Sequence, residues 1–437
     1  MISARAARTG VWGLALLPLA LFVAGIGTSD LASPAAVLNL FGRLAGVLGL
    51  VFLLLAGALS ARVPGFDQPF GGLTKLWHTH HLLGAASLML LLAHPILLAL
   101  ARGPFGVEFA AALLFPPLGD LASWAGWLAL ALMMVFLAPS FAFFGRPRYE
   151  RWKRVHALAG PAIVLALVHT ALFSRSLPGS SDLVIWGGLS LLAVSGLLWR
   201  FLFSRRRARL RHRVELVEPV SNNVVELTLK PLQRRLRYQA GNFVYLTPHD
   251  PDLAAGCNEE HPYTLSSSPL EHELRIAIKD LGDASHAIQT ITPGSEVSIE
   301  GPYGRFFDPR TPDHEPQLWV AGGIGITPFL ARLRHLDRQN ADVDVVLVFA
   351  VQDDTRMLFK AELEALAQRL EGVRLVVHMF YREGPISREF LNRQVPDLAR
   401  REAWICGPLP LNHLVQSHLR DAGIDRARIH TEEFELL

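Results

Sequence analysis

The chain predicts three consecutive parts: a bundle of six membrane-crossing helices, a small β-barrel and a doubly wound α/β domain. Three observations carry this. The 437 residues are 51% hydrophobic with a mean hydropathy of +0.28, too apolar for an ordinary soluble protein and too charged for one embedded throughout. The long apolar runs all lie before about residue 204, and most of the charge lies after it. Beyond that boundary, closely spaced alternating strands give way near residue 316 to a rhythm of strand, glycine loop and helix.

A hydrocarbon core of about 30 Å needs about 20 apolar residues per helix. Six stretches meet or approach that length: 10–27, 36–61, 76–101, 121–143, 153–173 and 183–203. An even number of spans puts both ends on one side. Arg62 and Lys75 flank the second connection, Arg146, Arg148, Arg151, Lys153 and Arg154 crowd the fourth, and Arg205-Arg206-Arg207-Ala208-Arg209-Leu210-Arg211 follows the last span. The remaining connections carry fewer cations, so the polar half is expected in the cytoplasm of a six-pass protein of a plasma or bacterial inner membrane. The arginine run reads as a topology anchor on lipid headgroups, with 205–212 as a basic linker. The first span, preceded by Arg5 and Arg8, has a signal peptide as its alternative.

A net charge of +3 gives no electrostatic footprint for nucleic acid. Two cysteines, Cys257 and Cys406, form neither a CxxC pair nor a disulfide framework and fit a reducing compartment.

Ionisable residues within spans are functional candidates. The third span holds Trp77-His78-Thr79-His80-His81 and Ala93-His94-Pro95, and the fifth holds His156 and His169. At about 100° and 1.5 Å per residue, His94 projects about 40° from His80 and about 21 Å along the axis, so those two share a face. His78 and His81 project elsewhere and read as polar core residues. His156 and His169 are about 19.5 Å apart, nearly the same rise, on a span running in the same direction. Two histidine pairs that meet level with level bind two bis-histidine haems. Thirteen residues leave His156 and His169 about 140° apart on a straight helix, and a kink at Gly160-Pro161 is the feature that can bring them to one side.

These spacings resemble the ferric-reductase-like transmembrane domain of NADPH oxidases and ferric-chelate reductases, over about residues 40–200. The resemblance implies two b-type haems: His80 with His156 for the inner and His94 with His169 for the outer. It also implies that Arg43, at the outer start of the second span, neutralises an outer propionate. A snorkelling interfacial arginine is the alternative.

In the polar half, strands are expected at 214–217, 224–229, 243–246 and 274–278, then at 317–321, 343–350, 375–378 and 403–406. His261-Pro262-Tyr263-Thr264-Leu265-Ser266-Ser267 resembles the flavin-binding segment of the ferredoxin-reductase-like family, in the histidine-first form of NADPH oxidases. His261, Pro262, Tyr263, Thr264 and Ser266 are thereby implied to contact FAD. The first position is an arginine in many ferredoxin reductases, and the histidine here departs from it. Gly301 and Gly304, in Gly301-Pro302-Tyr303-Gly304, fall where the family closes its barrel near the flavin phosphates; a plain turn is the alternative.

Gly322, Gly323, Gly325, Thr327 and Pro328 form a glycine loop that follows a strand and opens a helix, which lets backbone approach a pyrophosphate. Cys406, ahead of Gly407-Pro408 at the carboxyl edge of the sheet, is implied to contact the nicotinamide, with a buried structural thiol as the alternative. Phe434 is implied to stack on the flavin, with a hydrophobic plug as the alternative. Val351-Gln352-Asp353-Asp354-Thr355-Arg356 offers Arg356 to a 2′-phosphate and Asp353 to a free 2′-hydroxyl, so NADPH and NADH are both open.

The expected whole is a membrane-embedded NAD(P)H oxidase or ferric-reductase-type flavohaem enzyme. It comprises a di-haem domain (1–204), a six-stranded FAD-binding barrel (213–310) and an NAD(P)H-binding domain (311–437). Its implied acceptors are O2, giving superoxide, or a ferric chelate. No regulatory module or obligatory protein partner is visible. A haem subunit serving a partner enzyme is the alternative from another class.

Overall fold

The computed structural model describes residues 4–140, 149–173, 179–307 and 311–432. These fall into two compact units that meet in sequence at residues 206 and 207.

The first unit is built of helices: α1 (Ala4–Ala24), α2 (Pro34–Leu59), α3 (Leu73–Arg102), α4 (Val107–Leu114), α5 (Leu121–Leu137), α6 (Tyr149–His156), α7 (Ala159–Phe173) and α8 (Gly179–Leu198). Two begin on side-chain caps. Ser33 accepts from the Ala36 amide ahead of Pro34, and Asp120 accepts from the Ser123 amide. α2 is the hub, packed along α3 and crossed by α8, while α5 and α7 lie together. Small residues permit these approaches: a Cβ on Gly196 would stand 3.1 Å from the Gly57 carbonyl, and one on Gly49 2.7 Å from Leu91. The buried Ser87 hydroxyl donates to the Gly49 carbonyl at 2.7 Å, tying α3 to α2.

Among the described residues four stretches are long and apolar enough to cross a membrane: Pro34–Leu59, Leu73–Phe105, Leu121–Ser140 and Glu150–Phe173. The first and last expected spans are helical and apolar but shorter, at Thr9–Ala24 and Val184–Leu198. The fifth expected span is not one kinked helix. α6 stops at His156 and α7 starts at Ala159, so the break precedes Gly160-Pro161. Pro161 then sits in the first turn of α7, where its missing N–H leaves no helical bond unmade.

α8 runs into a π-helix, Trp199–Ala208, and then directly into β1 (Arg209–Ser221). The expected linker at 205–212 is therefore corrected: its second half is strand. The reason is periodicity, since Leu210, His212 and Val214 are buried while Arg211 and Arg213 between them are exposed. A run read for its charge was also alternating.

β1 joins β2 (Val224–Pro231), β3 (Phe243–Pro248), β4 (His261–Thr264), β5 (Leu274–Lys279) and β6 (Glu296–Tyr303) in the order β4-β3-β6-β1-β2-β5. A bridge from Leu265 to Ile276 links the two edges, so the sheet curls into the expected six-stranded barrel. Its core is Leu210, Val214, Leu227, Leu229, Val244, Leu246, Leu265, Ile276 and Ile299. The short helix α9 (Asp283–Ala287) lies between β5 and β6.

The last part alternates β7 (Pro316–Gly322), α10 (Thr327–Gln339), β8 (Asp344–Val351), α11 (Lys360–Arg369), β9 (Val373–Met379), α12 (Phe380–Glu383), α13 (Arg388–Gln394), β10 (Glu402–Cys406), α14 (Leu409–Asp421) and β11 (Ile429–Glu432). The sheet is parallel in the order β11-β10-β7-β8-β9. Alternate strand residues serve opposite faces. Trp319, Leu347 and Phe349 pack with Phe329 and Leu333 of α10 and Leu363 of α11. Leu318, Val320, Val346 and Val348 pack with Phe390 of α13 and Val415 and Leu419 of α14. That is the doubly wound arrangement, whose ligands bind at the carboxyl ends of the strands.

Candidate functional site

The four histidines singled out by spacing face one another in the expected pairs. Ring centroids of His80 and His156 are 6.2 Å apart, and those of His94 and His169 are 6.4 Å apart. His156 ends α6 and His169 lies on α7, on either side of the break.

Three of the rings are held by helix carbonyls. Nδ1 lies 2.8 Å from the Ala56 oxygen in His80, 2.7 Å from the Gly42 oxygen in His94 and 2.8 Å from the Ala122 oxygen in His169. A carbonyl oxygen only accepts, so Nδ1 donates and Nε2 keeps its lone pair, the state of a metal ligand. His156 is held differently, stacked on Trp152 at 4.8 Å with the Phe136 ring edge-on at 5.2 Å.

A metal fits between each pair by distance. Two metal–nitrogen bonds of about 2 Å, plus about 1.1 Å from each nitrogen to its ring centre, put the centroids about 6.2 Å apart.

Two glycines, Gly46 and Gly126, were not legible as site residues. A Cβ on Gly46 would stand 2.7 Å from Nδ1 of His94, and one on Gly126 would stand 2.6 Å from Nδ1 of His169. Each lies four residues beyond the carbonyl its histidine uses, Gly42 and Ala122. In a helix the amide at that position already donates to the same carbonyl, so the imidazole takes the second lone pair and needs a missing side chain to reach it.

Arg43 lies in the first half of α2. It is not buried; it pairs with Asp30 and lies 5.7 Å over the Phe22 ring, with 46% of its side chain exposed. One residue along from Gly42 on a helix is about 100° around, so Arg43 faces α1 while Gly42 faces His94.

In the second unit, β4 carries His261, Pro262, Tyr263 and Thr264. Burial raises the Tyr263 hydroxyl well above the usual phenol range. The His261 imidazole lies 3.7 Å from the Glu259 carboxylate. Ser266 is fully buried and its hydroxyl donates to Glu226 at 2.6 Å. Gly301, near the end of β6, and Gly304, just beyond it, have φ of +156° and +85°, conformations that favour glycine. A Cβ on Gly304 would stand 3.0 Å from the Phe243 ring and 3.5 Å from a Glu432 oxygen.

The glycine loop rests on the ends of β7 and β10. A Cβ on Gly325 would stand 2.1 Å from the Cys406 carbonyl, and one on Gly407 3.2 Å from the Gly322 Cα. Gly323 has φ +56°, Thr327 donates to the Ile324 carbonyl at 3.0 Å, and Pro328 lies in the first turn of α10.

Cys406 is fully buried, and burial, with the Glu432 charge second, raises its thiol far above the ordinary range. It is a neutral thiol. Glu432 pairs in register with Cys406, and its backbone carbonyl accepts from Asn412 at 3.1 Å. Sequence reading missed it because β11 is only four residues long. Phe434 lies outside the described residues. Arg356 lies 3.5 Å from Asp353, whose carboxylate also accepts from the Thr355 amide at 3.0 Å.

Comparison with known proteins follows this division. Residues 45–167 match the family described as ferric reductase like transmembrane component, 209–306 an FAD-binding domain and 319–417 an oxidoreductase NAD-binding domain. The chain is similar to the glycine betaine monooxygenase reductase subunit of Chromohalobacter salexigens, 31% identical over 188 residues, which are 39% of this chain and 50% of that protein. It is 32% identical to an NADPH oxidoreductase of Mycobacterium tuberculosis over 181 residues, 39% of this chain and 47% of that one. Ferredoxin–NADP reductase B of Sorangium cellulosum is 28% identical over 242 residues, 51% of this chain and 96% of that one. The chain spans about half the length of the first two relatives. A ferric-reductase-like membrane component followed by FAD-binding and NAD-binding domains matches the architecture of NADPH oxidases and ferric reductases.

Proposed function

We propose that the chain carries electrons from cytoplasmic NAD(P)H through FAD and two b-type haems to O2 on the opposite side of a membrane, which is reduced by one electron to superoxide. The observation that carries this reading is the pair of facing histidine couples with three Nδ1 atoms committed to carbonyls, on a chain that also holds both nucleotide-binding domains. When bound, FAD accepts a hydride and releases electrons singly, and haem iron accepts them one at a time. His80 with His156 would hold one haem and His94 with His169 the other.

In the soluble unit, β4 and the Gly301–Gly304 turn are the residues for FAD. The glycine loop and the N-terminus of α10 present backbone to the dinucleotide phosphates. Cys406 is neutral and stays neutral through ordinary pH, so its part is to shape the floor of the nicotinamide site rather than to react. The basic connections support a cytoplasmic soluble half and six passes.

Superoxide-dismutase-sensitive cytochrome c reduction by the purified chain, driven by NAD(P)H without a protein partner, is the expected result. The description of the membrane component favours a second acceptor, a ferric chelate. Dismutase-insensitive turnover that requires the chelate would establish that reading instead.

A further inference from the structure

Arg334 is one of 42 lysines and arginines, and one of the few described cations that are buried. It lies on α10, two turns beyond the glycine loop, and is 5% exposed. Its guanidinium grips Glu362 of α11 with two bonds of 2.7 Å. It also reaches out of its own domain. One arm donates to Glu226 of β2 at 3.0 Å and to the Ser266 backbone carbonyl at 2.9 Å, and the other donates to the second Glu226 oxygen at 3.3 Å. The Ser266 hydroxyl closes the circuit on Glu226. Farther along α10, His335 lies 3.4 Å from the Ser268 hydroxyl and Arg338 lies 3.6 Å from Glu271.

A buried ion pair is a poor device for stability alone, because apolar residues of similar volume often serve as well. A planar fork does something they cannot: it fixes angle as well as distance. Here the fork spans the segment next to Tyr263 and Thr264 on one side and, on the other, the helix whose first turn is the glycine loop. Resting on the proposed placement of FAD and dinucleotide, we infer that Arg334, with Glu226 across the domain seam, is the positioning residue that sets the flavin segment against the nicotinamide site. Hydride transfer is steeply sensitive to such placement, with about a hundredfold lost for a misplacement of about 1 Å.

Two carboxylates of the same guanidinium separate this role from simple stabilisation. Glu226→Gln weakens the arm that crosses the seam, and Glu362→Gln weakens the arm within one domain. In single-turnover stopped flow at saturating NAD(P)H, Glu226→Gln is expected to reduce its flavin about tenfold more slowly. Its FAD content and dinucleotide KM should stay near wild type, and its long-wavelength charge-transfer absorbance should be diminished. Glu362→Gln is expected to keep the rate and the absorbance even where it lowers the melting temperature. Equal slowing in both variants, or wild-type rates in both, overturns the inference. Where Glu226→Gln does not retain FAD, Arg334→Lys keeps the charge without the fork, and a wild-type transfer rate in that variant likewise overturns it. Loss of FAD or dinucleotide binding in the unaltered chain is a separate result and tells against the cofactor assignment itself.

Discussion

In the membrane unit His80, His94 and His169 are each held by a neutral helix carbonyl, and two of them press on a glycine. In the soluble unit the flavin segment is held by a guanidinium between two carboxylates. The difference follows from the medium. An ion at the centre of a bilayer is costly, so the bundle orients its histidines with dipoles it already owns, at the cost only of side chains left out. The soluble unit has burial deep enough to sharpen a charge network and enough water nearby to fold it. One chain thus orients facing histidines by side chains left out in one half and fixes the segment after β4 by charge in the other.

The largest effect that sharpens this contrast is the removal of a ring. His94→Leu or His169→Leu is expected to take haem content from two per chain to one by pyridine haemochrome assay, with flavin reduction by NAD(P)H unchanged. Two haems retained in either variant would break the pairing. Next, Gly126→Ala and Gly46→Ala add a methyl 2.6 Å and 2.7 Å from an imidazole nitrogen, too close to stand without movement. Overpacking of this kind costs about 1–3 kcal/mol. We expect an altered spectrum or lowered occupancy of the haem at His94 and His169 only. An unchanged spectrum would show that the rings are not seated there.

A smaller effect is expected on nucleotide choice. Arg356 and Asp353 are engaged with each other, so neither dominates, and the ratio of kcat/KM between NADPH and NADH should stay below about a hundred, or about 2.7 kcal/mol. A larger ratio would mean that one of them has been freed.

The smallest effect is a pH dependence. The Cys406 pKa is raised on folding from an ordinary value of 9.0, so the unfolded chain releases that proton first as pH rises. Stability from the neutral buried thiol is present below about pH 9 and lost above it. The melting temperature of the wild type should therefore fall more steeply above pH 9 than that of Cys406→Ala. Parallel curves would place the thiol in contact with water.

How much of this was readable in the chain depends on contrast. Four histidines in apolar helices stand out, and they face one another in pairs even though the helix between His156 and His169 is broken rather than kinked. Gly46 and Gly126 did not stand out, because glycine in a membrane helix is common and their meaning lies in a partner on another helix. Arg334 was invisible for the opposite reason, one cation among many on an amphipathic helix. Arg43 was read for a propionate, and its pairing with Asp30, thirteen residues before it, was not legible. The arginines near 209 were read as a charge run when their alternation with Leu210 and His212 marked a strand.

The central claim is that one chain joins nucleotide oxidation to two histidine-held haems. Its most direct test is an anaerobic titration of the purified, FAD- and haem-loaded chain with NADPH or NADH, followed in the visible spectrum. The flavin is expected to bleach and both haems per chain to become reduced, with only one haem to reduce in His94→Leu. A flavin that bleaches while the haems stay oxidised, or a chain that binds no haem at all, would contradict it.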